Sequence, residues 1–240
     1  MSERTTQVRS PQIKWKCSPA ARPRFRLASM AVSLAAVLII AANAPATAAP
    51  ETLRIVAFGD SLTAGYGLPP GKDFATRLEA ALKQRGHNVE VVNAGVSGDT
   101  TSGGRARFDW ALPDGTHAVI LELGANDALR GIPPETTRAN LDDILARLKK
   151  RNLPVLLAGM RSLANWGEEY VRAFEAIFPD LARKYDALYY PFFLEGVIDK
   201  PKLKLSDALH PNEQGVEEIV RRIEPYVEKL IARAGAGSGG

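Results

Sequence analysis

Short apolar segments alternate with longer segments of helical periodicity along the chain from residue 53 onward. The apolar segments are rich in β-branched residues and are apolar at nearly every position, which is typical of strands buried on both faces. Strands separated by helical segments predict a parallel sheet covered by helices. The predicted strands span residues 53–59, 89–95, 118–124, 154–160 and 187–193.

The helical segments carry their own boundary signals. Asp73 is a predicted N-cap, and Pro134 is a predicted first-turn residue of a helix. Gly86 is predicted to end a helix at its C-terminus. We see no internal repeat and no second globular domain. The predicted helices span residues 73–85, part of 100–112, 134–151, 166–184 and 212–232.

Residues 1–48 have the composition of an export signal. A basic stretch precedes 16 apolar or small residues (27–42), and small residues close the segment at Ala46 and Ala48. We predict cleavage after Ala48 and a periplasmic or secreted product with no membrane span after processing. An uncleaved anchor is the alternative, although the apolar run is shorter than the roughly 20 residues that span a bilayer.

The leader also explains the basic character of the whole chain. The 240 residues carry a net charge of +4, but residues 1–48 hold seven basic residues and one acidic residue, which leaves residues 49–240 at −2. We therefore expect no nucleic-acid partner. Cys17 is the only cysteine and lies in the leader, so the remaining chain has no disulfide and no thiol nucleophile. We predict one domain over 49–233, a flexible tail over 234–240, and a monomer or weak oligomer.

The histidines locate the candidate chemistry. His87 and His117 precede predicted strands, at the edge of the sheet opposite to the one that binds ligands, and we interpret them as surface residues. Asp207 stands three residues before His210, so its carboxylate can fold onto Nδ1 and leave Nε2 facing a nucleophile. These two residues alone also fit a helix-capping aspartate beside an exposed histidine.

Ser61 is the preferred nucleophile over Ser97 and Ser102. It follows the first strand directly, in GDSLTAGYG, where glycines permit a sharp turn. A phosphate-binding loop is the alternative, but neither G-x-x-x-x-G-K-[ST] nor G-x-G-x-x-G is present and Asp60 would repel phosphate. The sequence GVSGD departs from the G-x-S-x-G elbow at Asp99, which disfavours an ordinary α/β-hydrolase.

Acyl transfer also needs hydrogen-bond donors aimed at the oxyanion. Gly95 ends the second strand and can bring a bare backbone N–H close to a ligand, and Asn126 follows the third strand and offers a side-chain NH₂. Both fall on strand ends beside Ser61, so we take them as candidate oxyanion donors.

Four ordered blocks resemble the SGNH (GDSL) hydrolase family. They are GDSLTAGYG (59–67), NAGVSGDTT (93–101), GANDALRG (124–131) and DALHPN (207–212). The stretch 170–197 is similar to the periplasmic acyl-CoA thioesterase, arylesterase and lysophospholipase group within that family. The resemblance covers nearly all of residues 53–230.

The resemblance implies a three-layer α/β/α fold with a flavodoxin-like, mostly parallel five-stranded sheet. It implies Ser61 as nucleophile, Asp207 and His210 as the rest of the triad, and Ser61, Gly95 and Asn126 as the oxyanion hole. The chemistry of such a triad requires no cofactor and no metal, and the sequence has no H-E-x-x-H motif or Cys/His cluster for zinc. We also place five flanking residues at the substrate, namely Asp60, Leu62, Asp127, Leu129 and Pro211.

The expected substrate is a small-molecule carboxylic ester or thioester, cleaved through an acyl-enzyme. A carbohydrate O-acetyl esterase on the same fold, or a non-catalytic binding module, are the alternatives. An acyl chain is favoured by apolar residues in the predicted loops: Leu68, Leu129, Ile132 and Trp166.

Overall fold

The fold is known from a computed structural model that describes residues 52–237. Its centre is a five-stranded sheet in the order β2-β1-β3-β4-β5, with every neighbouring pair parallel. This is the flavodoxin-like strand order, and with helices on both faces it confirms the predicted fold class. The strands are β1 (Leu53–Gly59), β2 (Val89–Gly95), β3 (Ala118–Glu122), β4 (Val155–Ala158) and β5 (Leu188–Tyr190).

The helices form two groups. Helix α2 packs against α9, whereas α6 packs against both α3 and α8. None of the helices within residues 52–237 is both long and apolar enough to cross a membrane. The α-helices are α1 (Ser61–Ala64), α2 (Phe74–Gln84), α3 (Thr101–Ala106), α4 (Phe108–Ala111), α5 (Ala125–Leu129), α6 (Pro134–Lys150), α7 (Glu168–Glu175), α8 (Ile177–Tyr185) and α9 (Glu213–Gly237).

The predicted helix over 166–184 is divided into α7 and α8 at Ala176. Pro179 has no N–H to donate to the carbonyl of Glu175, so the α-helical bonding cannot run continuously through this point. The start is also later than predicted, because Gly167, with φ 88, precedes the first helical residue. Local backbone chemistry therefore sets boundaries that hydrophobic periodicity does not reveal.

The last helix is longer than predicted. It runs to Gly237 and so occupies part of the segment predicted as a flexible tail. Ala234 is buried, and Arg233 Nη1 donates to the Asp186 carbonyl over 2.6 Å. These contacts hold the final turn against the domain. The rest of the predicted tail, 238–240, and the predicted leader lie outside the described residues.

Arg107 joins the carboxyl ends of β1 and β2. Its Nη2 donates to the Gly59 carbonyl over 2.7 Å and its Nη1 donates to the Ala94 carbonyl over 2.8 Å. Its Nε binds the Asp99 carboxylate, and the guanidinium lies 4.4 Å from the centre of the Phe58 ring. The side chain is 7% exposed, so this charge is desolvated and depends on these partners. It therefore fixes the sheet edge from which the loops emerge.

Arg107→Lys should lower the free energy of unfolding by about 2–4 kcal/mol, because an ammonium cannot bind three acceptors in the planar arrangement of a guanidinium. Urea denaturation measures the change. Arg105→Lys is the matched control, since Arg105 is 53% exposed in its ion pair with Asp143 and should shift stability by less than about 0.5 kcal/mol. Equal losses in the two variants would contradict the role given to Arg107.

Candidate active site

Ser61 is the first residue of α1, directly beyond the end of β1. Asp60 caps this short helix, because its Oδ1 accepts from the backbone N–H of Leu62 over 3.0 Å. The turn places Ser61 at the carboxyl edge of the sheet with 8% of its surface exposed. The hydroxyl is thus held by a capped, buried turn and still borders a cavity.

The structure brings Ser61, His210 and Asp207 together. Ser61 Oγ lies 2.9 Å from His210 Nε2, and Asp207 Oδ2 lies 2.6 Å from His210 Nδ1. Asp207 Oδ1 also accepts from the backbone N–H of Leu209 over 2.9 Å. Ala208 adopts a φ of 61, which closes the tight turn between the carboxylate and the imidazole. The arrangement can move a proton from the hydroxyl to the imidazole.

Hydrogen bonds keep the Asp207 carboxylate ionised. The bond from the His210 ring, followed by that from the Leu209 N–H, lowers the pKa of Asp207 to about 2. A negative Asp207 favours the tautomer with the proton on Nδ1 and stabilises a positive imidazole.

Tyr66 completes the surroundings of the histidine and was missed by the sequence reasoning. Its ring lies 4.5 Å from the His210 ring, centre to centre, at an angle of 38°. The tyrosine is part of GDSLTAGYG, but no spacing rule connects it with a histidine 144 positions later. Only the fold reveals that it covers one face of the imidazole.

Asn126 is hydrogen-bonded to Asp60, the residue that precedes Ser61. It lies in α5, which begins just after β3, and its Nδ2 donates to Asp60 Oδ2 over 3.0 Å. An amide nitrogen carries two hydrogens, so this bond fixes the side chain and leaves a second donor. Asn126 lines the same cavity as Ser61.

Gly95 does not have the geometry expected of an oxyanion donor. Its N–H donates to Asn93 Oδ1 over 3.0 Å. A Cβ at this position would clash with the backbone nitrogen of Ala64, so the glycine is needed for the close approach of α1 to β2. The structure therefore gives Gly95 a packing role and engages its N–H with Asn93.

Two buried carboxyl groups lie beneath the Ser61 turn. Glu122 Oε2 accepts from the Asp60 N–H over 3.2 Å and from Thr63 Oγ1 over 2.7 Å, while its Oε1 has no hydrogen-bond partner among residues 52–237. Burial, with a smaller contribution from the charge of Asp60, raises the pKa of Glu122 well above its ordinary value. Burial also raises the pKa of Asp60 to about 6. Both carboxyl groups therefore favour the protonated form more than an exposed carboxyl does.

Three residues predicted to bind substrate have structural roles instead. Asp60 is wholly buried beneath the Ser61 turn. Pro211 is also buried and pairs with Lys204 in an isolated β-bridge. Asp127 is also wholly buried and accepts from the backbone N–H of Thr101 over 2.8 Å and from Thr137 Oγ1 over 3.1 Å. Asp127 thus joins α3 to α6, a role that its position beside Asn126 does not reveal. The other two predicted residues, Leu62 and Leu129, line the cavity.

The cavity has a volume of about 510 Å³ and opens beside the Ser61 hydroxyl. Its polar side chains include those of Ser61, Asn126 and His210, and ten of its sixteen lining residues are apolar. Met160, Phe192 and Leu194 are buried members of this lining. The cavity can hold an apolar chain with its reactive end at Ser61.

Comparison with known proteins identifies relatives of the chain. The sequence profile described as the GDSL-like lipase/acylhydrolase family matches residues 57–217. The chain is 36% identical over 181 residues to an arylesterase of Vibrio mimicus, covering 75% of this chain and 86% of that protein. It is 37% identical over 187 residues to thioesterase 1/protease 1/lysophospholipase L1 of Escherichia coli (strain K12), covering 78% of this chain and 84% of that protein.

A solved structure is also similar. The esterase AlinE4, described as an SGNH-hydrolase family esterase, has 48% sequence identity and a TM-score of 0.65. The match covers 75% of this chain and 97% of AlinE4. The similarity therefore extends over almost the whole of that enzyme.

Glu122→Gln should make stability less dependent on pH. The native pKa values of Glu122 and Asp60 both lie above their unfolded values, so the wild-type free energy of unfolding should fall as the pH rises through the native pKa values. The glutamine cannot ionise and does not repel Asp60, so its free energy of unfolding should fall less between about pH 5 and about pH 9. Urea denaturation across this range measures both curves.

Glu122→Leu is the matched comparison, because it removes the acceptor for Asp60 N–H and for the Thr63 hydroxyl. Each orphaned donor should cost about 1–3 kcal/mol at every pH. Parallel pH curves for the wild type and Glu122→Gln would contradict the raised pKa of Glu122.

Proposed function

The chain belongs to the GDSL-like lipase/acylhydrolase family, and we propose that Ser61 is the nucleophile with which it hydrolyses carboxylic esters and thioesters through an acyl-enzyme. The observation that carries the proposal is the continuous hydrogen-bonded series from Asp207 through His210 to Ser61. It ends at the wall of a cavity lined mainly by apolar side chains, where an acyl group can be bound.

In the proposed reaction, His210 Nε2 accepts the Ser61 proton as Oγ attacks the carbonyl carbon. The resulting imidazolium is stabilised by the Asp207 carboxylate and then protonates the leaving oxygen or sulfur. The acyl group remains on Ser61. Water then loses a proton to His210, attacks the acyl-enzyme and releases the carboxylic acid and the free Ser61 hydroxyl.

The oxyanion formed during attack needs preorganised donors. We assign the backbone N–H of Ser61 and the Nδ2 of Asn126, which Asp60 holds in place. For the third donor we propose the N–H of Gly98 in place of Gly95. Gly98 has a φ of 84, and its carbonyl accepts from Arg130 Nη2 over 2.9 Å, which holds this loop against the end of the helix that carries Asn126.

The apolar lining favours an acyl chain over an acetylated carbohydrate, whose many hydroxyls would need polar partners. The relatives named as an arylesterase and as a thioesterase and lysophospholipase point to the same class of acyl substrates. Residues 1–48 have the pattern of an export signal, and we therefore propose that the enzyme acts outside the cytoplasm.

The function is tested with matched acyl substrates. p-Nitrophenyl esters, acyl-CoA thioesters, a lysophospholipid and acetylated sugars are supplied to the protein, with Ser61→Ala as control. We expect hydrolysis of the acyl substrates, with kcat lowered about 10³-fold or more in the control. Hydrolysis of acetylated sugars alone would favour the carbohydrate esterase, and undiminished activity of Ser61→Ala would exclude the proposed nucleophile.

Asn126→Ala should lower kcat by about 10²–10³-fold with a smaller change in KM, because the donated hydrogen bond strengthens as the oxyanion forms. Steady-state kinetics on one p-nitrophenyl ester gives both constants. Asn165→Ala is a suitable control, since Asn165 is exposed in the loop after β4. A fall in kcat of less than about threefold in Asn126→Ala would remove Asn126 from the oxyanion hole.

A further inference from the structure

The exposed large apolar side chains are concentrated at the mouth of the Ser61 cavity. Seven such side chains are exposed within residues 52–237, and five of them belong to this region. We call these five the apolar rim: Tyr66 (53% exposed), Leu129 (43%), Leu163 (46%), Trp166 (42%) and Leu209 (46%).

Direct contacts place the rim residues around one opening. Leu129, Leu163 and Leu209 line the cavity itself. Tyr66 packs on the His210 ring at its edge. Trp166 Nε1 donates to the carbonyl of Ala128 over 2.8 Å, which places the indole beside the helix that ends at Leu129.

The rim is assembled from four separate parts of the chain. Tyr66 follows α1, Leu129 ends α5, Leu163 and Trp166 belong to the loop after β4, and Leu209 precedes α9. Exposed apolar residues scattered singly are normal, whereas a contiguous group indicates an interaction surface. Trp110, which is 71% exposed on α4, is an isolated example and provides an internal comparison.

The position of the rim restricts what can cover it. A protein partner or a second copy seated there would close the entrance to Ser61 and block turnover. An aggregate of acyl amphiphiles can cover the rim and supply substrate to the cavity at the same time. The two charged residues of the cavity lining apart from the histidine, Arg161 and Asp199, have opposite signs, so the lining has no strong preference for an anionic surface.

We propose that the apolar rim docks onto the surface of zwitterionic amphiphile aggregates, from which an acyl chain enters the Ser61 cavity. This inference rests on the proposed function, because it gives the acyl substrate a physical source. It adds that the enzyme binds a lipid surface through Leu163, Trp166 and Leu209 as well as a single substrate molecule through the cavity.

The test measures partition onto phosphatidylcholine vesicles by flotation, with Ser61→Ala protein so that the lipid is not consumed. The Ser61→Ala protein should float with the vesicles. Adding Leu163→Gln or Leu209→Gln should lower the partition coefficient about 5–10-fold, because a polar amide replaces apolar surface buried in the lipid. Adding Trp110→Gln should change it by less than about twofold, since this side chain lies outside the rim.

Absence of flotation, or an equal loss on changing Trp110, would overturn the proposal. Light scattering without lipid measures the oligomeric state and so tests whether a second copy of the chain covers the rim. A dimer that Leu163→Gln dissociates would assign the rim to that second copy. Wild-type hydrolysis of monomeric p-nitrophenyl butyrate tests the hydrolase function separately from the docking surface. Turnover of this ester without vesicle binding would refute the docking surface and leave the hydrolase function intact.

Discussion

The 2.9 Å contact between Ser61 and His210 joins residues 149 positions apart, and it depends on nearly every other feature of the fold. Ser61 is held at the end of β1 by the Asp60 cap and by the buried Glu122 carboxyl. His210 is held from the other side by Asp207 in the tight turn at Ala208. A small displacement of either residue would separate Ser61 Oγ from His210 Nε2. The surrounding structure therefore restricts the positions of both residues.

The carboxyl groups around the site are distinguished by their environments. Asp207 is partly exposed and well hydrogen-bonded, and its pKa of about 2 keeps it negative beside the histidine. Glu122 is wholly buried, which raises its pKa well above the ordinary value, and its Oε2 supports the turn that carries Ser61. The pKa of Asp60 is raised to about 6, because the carboxyl is buried, although it also accepts hydrogen bonds from Leu62 and Asn126. Desolvation and hydrogen bonding thus give the three groups separate tasks.

The sequence predicted the bounds of β1 and β2 to the residue. It also predicted which polar residues meet at the sheet edge, because parallel strands end at the same edge. It did not predict the support beneath them. Glu122 lies within an apolar strand pattern, and its function depends on the turn of a different strand. Gly95 was assigned from its position at a strand end and from the family resemblance, and the acceptor on Asn93 that engages its N–H becomes visible only in the structure.

We propose that the fold makes one serine hydroxyl nucleophilic. The most direct measurement is mass spectrometry of the protein after reaction with a fluorophosphonate, which traps activated serines covalently. One phosphonyl adduct per chain is predicted, on the peptide that contains Ser61, with Ser97 and Ser102 unmodified. An adduct on another serine, or an unmodified Ser61 in a protein that still hydrolyses esters, would contradict the account.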